Sequence, residues 1–84
     1  MVEVEFTKEF KEIISKIKDR LLIIKIKKQI KKISKNPEAG KPMRHDRKGT
    51  RELYIKPFRL SYLYLKKENL IYILDLYHKK NQGK

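Results

Sequence analysis

The sequence predicts an α+β domain of order β-α-α-β-β-β, with two helices packed on one face of a small, mainly antiparallel sheet. Three observations predict it. A short run near the start, "VEVEF" (2–6), alternates apolar and acidic residues, the period of a strand. Isoleucines then recur at helical spacing as far as residue 35. Three apolar runs follow, "RELYIK" (51–56), "FRLSYLYL" (58–65) and "LIYILDLYH" (70–78), set apart by Pro57 and by "KKEN" (66–69). Strands joined by such short turns form an antiparallel meander.

Each helix has its own signature. Thr7 is placed to cap the first, in which Phe10, Ile13, Ile14 and Ile17 fall at i, i+3, i+4 and i+7. Asp19 and Arg20 mark its end or a turn. Within 21–35, "IIKIKK" alone would suit a strand, but Ile23, Ile26, Ile30 and Ile33 keep helical spacing over the longer window. This predicts a second helix, antiparallel to the first. Pro37, Gly40 and Pro42 end it, and a basic loop without periodicity, "MRHDRKGTR" (43–51), leads into the strands. With 84 residues and no internal repeat, the chain is read as one domain, 1–84.

The charge balance narrows the function. There are 23 Lys+Arg against 10 Asp+Glu, a net charge of +13, which favours nucleic acid or an acidic protein as partner. Residues 8–35 alone carry an excess of +8, on a surface that serves either as solvation or as phosphate contact. The absence of cysteine excludes disulfides, thiol catalysis and cysteine zinc sites. His45 and His78 stand far apart among scattered carboxylates, so no metal site is expected, and no cofactor. The apolar residues of "MVEVEFTKEF" alternate with glutamates, unlike a signal peptide, and no uncharged run approaches the ~20 residues of a membrane span. A cytoplasmic location is expected.

Arg59 sits inside an otherwise apolar strand, and burying an unpaired guanidinium costs several kcal/mol or more. Strand alternation resolves this. Phe58, Leu60, Tyr62 and Tyr64 share the face expected under the helices, whereas Arg59 and Ser61 face away. Leu53 and Ile55 belong to the core, so Glu52, Tyr54 and Lys56 join the Arg59 face, as do Asp75, Tyr77 and Lys79 of the last strand. Arg59 is read either as paired with Asp75 or Glu52, or as one of three cations, with Lys56 and Lys79, converging beside Tyr54 and Tyr77. Cations for phosphates and aromatic faces for bases suit single-stranded nucleic acid.

The order of elements, the segment "GKPMRHDRKGTRELYIKPFRLSYLYL" and the ending "ILDLYHKK" resemble the RelE superfamily of toxins from toxin–antitoxin pairs, most of all its archaeal members. "FRLSY" matches the family's aromatic–Arg–Leu–x–Tyr strand, and "HKK" its basic strand end. The resemblance implies a ribosome-dependent endoribonuclease, an mRNA interferase that cuts mRNA in the ribosomal A site and inhibits translation. It also implies an acidic or amphipathic RelB-like antitoxin as partner, a monomeric toxin and a higher-order complex.

Carried over by position, Arg59 matches the arginine that contacts the scissile phosphate. His78 and Lys79 fall where relatives have catalytic or basic residues after the last strand. Arg51, Tyr54, Lys56 and Lys80 are expected to contact RNA. Tyr54 stands where a basic residue is common, and "HKKNQGK" holds no tyrosine where several members carry one.

Metal-free cleavage uses the 2′-hydroxyl as nucleophile and needs a base, an acid and a cation on the phosphorane. Arginine suits the last role, being always charged and bidentate toward phosphate. Histidine ordinarily titrates near neutrality, and a lysine crowded by cations can also act as base. Which residue is acid and which is base stays open. Two other readings stand beside this one: a ParE-type toxin that inhibits DNA gyrase without cleavage, and a basic RNA-binding module without toxicity.

Overall fold

The computed structural model describes residues 2–43 and 49–78. In chain order it contains β1 (Glu3–Phe6), α1 (Lys8–Ser15), α2 (Arg20–Lys35), β2 (Lys41–Pro42), β3 (Thr50–Ile55), β4 (Phe58–Leu65) and β5 (Leu70–His78). The five strands form one sheet of order β1-β5-β4-β3-β2, in which β1 runs parallel to β5 and the other pairs are antiparallel. The predicted α+β class and meander are therefore present. One strand goes beyond the prediction. Lys41–Pro42, read as loop, pairs with Glu52 and Arg51 as a two-residue edge strand. Two residues are too few to show a period, and the missing N–H of Pro42 is tolerable only at an edge.

The cap residues act as the sequence suggests. The Thr7 hydroxyl accepts from Phe10 N at 3.2 Å and donates to the Ile73 carbonyl at 3.0 Å, so one side chain starts α1 and fastens it to β5. Asp19, expected at the end of the first helix or in a turn, lies in the connection and caps the second helix, accepting from Leu21 N and Leu22 N. Helix α1 stops at Ser15, which leaves Ile17 in the connection, still packed against the core.

The helices cover one face of the sheet, α1 against β5 and α2 against β3. Between the layers lie Phe10, Ile26, Ile33, Ile55, Leu60, Tyr62, Ile71, Ile73 and Leu76, all buried. In β5 the inward residues are Ile71 and Ile73, then Leu76, an odd step that strict alternation forbids. The register explains it. Ser61 pairs with Asp75 but Tyr62 pairs with Ile73, so Leu74 is an extra residue in β5. This bulge turns Asp75 and Tyr77 out of the core and onto the face of Arg59.

At the other end of the sheet Tyr62 anchors the chain that follows α2. Its hydroxyl donates to the Pro37 carbonyl at 2.7 Å and accepts from Gly40 N at 2.9 Å. A side chain at position 40 would place Cβ 2.7 Å from that hydroxyl and 2.9 Å from the Glu52 carbonyl, so only glycine fits.

Candidate functional site

The uncovered face of the sheet is built from three adjacent strands. Arg59 on β4 stands directly opposite Tyr54 on β3 and Tyr77 on β5. One position further along, Ser61 lies opposite Glu52 and Asp75. The guanidinium carbon lies 5.9 Å from the centroid of the Tyr54 ring, within reach of its negative face. Arg59 Nη1 donates to Glu52 Oε1 in an ion pair. The Tyr77 hydroxyl donates to the other oxygen, Oε2, at 2.6 Å. The Glu52 carboxylate is thus held by donors from two other strands, and 12% of its side chain is exposed against 25% for Arg59. Burial, and then the hydrogen bond to Glu52 and its charge, push the Tyr77 hydroxyl up to about 12.

Of the two sequence readings of Arg59, the ion pair is the one this structure contains, with Glu52 rather than Asp75 as partner. Tyr54 lies beside Arg59 as expected and is 52% exposed, presenting much of its ring. Lys56 stands in the turn after β3 and is exposed. Lys79 and Lys80 lie outside the described residues, as does His45. Of the three cations expected to meet, Arg59 lies on this face, Lys56 stands exposed in the turn beside it and Lys79 is outside the described residues; Lys41 on β2, directly opposite Glu52, brings a further exposed lysine to the same face.

Two predicted site residues occupy other surroundings. Arg51 alternates with Glu52 and points to the helix side, where Nη1 donates to the Gly40 carbonyl at 2.7 Å and the Glu38 carbonyl at 3.2 Å. It ties down the turn after α2 rather than facing the Arg59 cluster. His78 lies opposite Phe58 and meets its ring edge-on, centroids 5.5 Å apart at 77°. Phe58 packs against the core, so the histidine turns toward the helix side at the end of the strand. Alternation already held both facts: Arg51 shares parity with Leu53 and Ile55, and His78 is out of step with Tyr77.

A second feature lies on the helical side. An apolar groove of about 310 Å³ opens between the helices, walled by Phe6, Phe10, Ile14, Ile23, Ile26 and Ile30, with the exposed Lys11 and Lys27 at its rim. Phe6 and Phe10 stack at 5.8 Å. Around α2, Leu21 is 70% and Ile24 56% exposed. Ile24 lines a second hollow with Ile17 and Ile23, so apolar surface continues along α2 beyond the groove.

No group of three or more metal-ligating side chains occurs among the described residues, and no helix there is long and apolar enough to cross a membrane.

Comparison with known proteins gives this geometry its context. Residues 3–83 match the family model for the ParE toxin of the type II toxin–antitoxin system parDE. No curated protein matches the chain significantly. Among solved structures, a chain of the toxin–antitoxin complex RelBE2 from Mycobacterium tuberculosis is 25% identical, with a TM-score of 0.78 over 93% of this chain and 98% of that one. The isolated RelE toxin of E. coli superposes with a TM-score of 0.83 at 13% identity, over 99% of this chain and 89% of that one. A chain of the intact E. coli RelBE complex gives 0.81 at 10% identity, over 93% and 96%. The two E. coli matches speak for the fold alone; the family model, spanning nearly the whole chain, does more. The chain belongs to the ParE toxin family, within the RelE/ParE superfamily, and is the toxin of a type II toxin–antitoxin pair.

Proposed function

We propose that this toxin is a ribosome-dependent endoribonuclease that cuts mRNA in the A site by metal-independent attack of the 2′-hydroxyl. The observation that carries this is the placement of Arg59 on the face of the sheet away from the helices, between Tyr54 and Tyr77. A guanidinium there can grip two phosphate oxygens and stabilise the charge that develops on the phosphorane. The exposed Tyr54 ring offers a surface on which a base can stack. Of the two residues at the end of the last strand, Lys79 is given proton transfer in this reading; His78, which meets Phe58 on the helix side, would have to swing round the strand end to share in it. Lys56 and Lys80 add charge for the RNA backbone, and Arg51 supports the site from the opposite side of β3. The helix lysines supply the long-range attraction to the ribosome.

A cognate RelB-like antitoxin holds the protein inactive. Its chemistry follows from the groove: apolar anchors for Phe10, Ile14, Ile23 and Ile26, and acidic residues for the lysine rim. Wrapping the helices enlarges the toxin beyond what the A site admits.

The family match and the pairing of Arg59 with Glu52 favour a second reading, a gyrase-binding toxin that cleaves nothing. Purified toxin added to mRNA-programmed ribosomes separates the two. The first reading expects cuts within the A-site codon. Intact mRNA together with loss of gyrase supercoiling supports the second.

A further inference from the structure

Arginine grips phosphate with pairs of adjacent nitrogens, either Nε with Nη2 or Nη1 with Nη2. Both pairs are compromised in Arg59. Nη1 is bonded to Glu52. Nε is buried and meets no acceptor among the described residues. The carboxylate on Nη1 is itself fixed, because Tyr77 holds its second oxygen from β5. An arriving phosphate therefore meets a guanidinium already neutralised, and a carboxylate that repels it.

We infer that Glu52 is an internal competitor for the phosphate site, keeping Arg59 closed until a correctly presented phosphate displaces it. The inference rests on the RNA-binding reading of this face but not on cleavage. Its consequence is selectivity. A loose RNA strand must break the Glu52–Arg59 pair while losing its own freedom, and binds poorly. A strand already held in place loses little on binding, and can displace the carboxylate. Glu52 is a positioning residue here, acting through Arg59 rather than on the RNA.

The test is equilibrium binding of a short RNA oligonucleotide with 2′-O-methyl sugars, which lacks the nucleophile and cannot be cut, and of inorganic phosphate, to the full chain without ribosomes. Glu52→Gln removes the competing charge and is expected to bind the oligonucleotide roughly tenfold more tightly than wild type. Glu68→Gln changes net charge equally from the exposed turn at the far end of the β4–β5 hairpin, and is expected to stay within about twofold. Adding Arg59→Ala to Glu52→Gln should erase the gain. Tyr77→Phe, which keeps every charge but loosens the carboxylate, should give a smaller rise in the same direction and decides the matter if Glu52→Gln does not fold. An affinity for Glu52→Gln no higher than for Glu68→Gln, or a gain that survives loss of Arg59, overturns the inference. Cleavage on the ribosome without the gain would leave the nuclease reading standing and remove this one. A gain without cleavage would do the reverse.

Discussion

Tyr77 and Glu52 are joined by a 2.6 Å hydrogen bond that passes over β4, linking β5 to β3 across the strand that carries Arg59. The bond needs a protonated phenol, and burial first, then this bond and the Glu52 charge, raise the pKa of Tyr77. The ordinary value is 10.0 and the folded value about 12. A group whose folded pKa lies above its unfolded value stabilises the fold fully below the unfolded value, and that contribution fades as pH rises through the folded one. Wild type should therefore be more stable than Tyr77→Phe at neutral pH. The difference should shrink from about pH 10 to about pH 12. Denaturant melts of both proteins across that range measure it; a difference that stays constant would dissociate the bond from the shift.

Tyr62 should matter to stability through its hydroxyl. Tyr62→Phe leaves Gly40 N without its acceptor and removes the bond to Pro37 O inside a closed core. Gly40→Ala drives a methyl into the same hydroxyl and the Glu52 carbonyl. Each is expected to cost about 1–3 kcal/mol, on the order of 5–15 °C in Tm for a domain of this size. Thermal melts check both, and an unchanged Tm for either would mean that the turn after α2 is not held by this contact.

Much of the fold could be read from the sequence because its signals are local. β4 and β5 begin and end where their apolar runs do, and Thr7 caps the helix it precedes. The bulge at Leu74 could not be located in advance: "LIYILDLYH" contains no glycine or proline to mark it, and only the need to expel Asp75 hints at it. The site was partly legible. Alternation placed Arg59, Tyr54, Glu52 and Tyr77 on one face, and they are there. Whether the guanidinium meets a carboxylate or a second cation depends on cross-strand register, which single-strand periodicity does not contain.

Ribosome binding should be steeply salt-dependent. The lysine-coated face of α2 releases a counterion for each phosphate neutralised, so affinity should fall by orders of magnitude between low and physiological salt. Sedimentation with ribosomes over a salt series reads this directly. Affinity that stays flat would show that these lysines serve solvation only.

Antitoxin binding should protect the helices. Hydrogen exchange with and without the antitoxin is expected to slow amides in α1 and α2 beside Phe10, Ile14, Ile23 and Ile26, as the groove is covered. Protection confined to residues 43–51, with none on the helices, would count against a wrapped complex.

The central claim, that Arg59 acts on mRNA in the ribosome, is met most directly by mapping mRNA 5′ ends shortly after a pulse of toxin expression, in wild type and in Arg59→Ala. Arg59 points off the core, so the variant should fold, with a lowered Tm because the largely buried Glu52 loses its cation, and folding is checked by a thermal melt alongside. Wild type is predicted to give new ends within translated codons at A-site positions, and folded Arg59→Ala to give none while growth continues. Growth arrest by wild type without such ends, or equal cutting by the folded variant, would contradict the account.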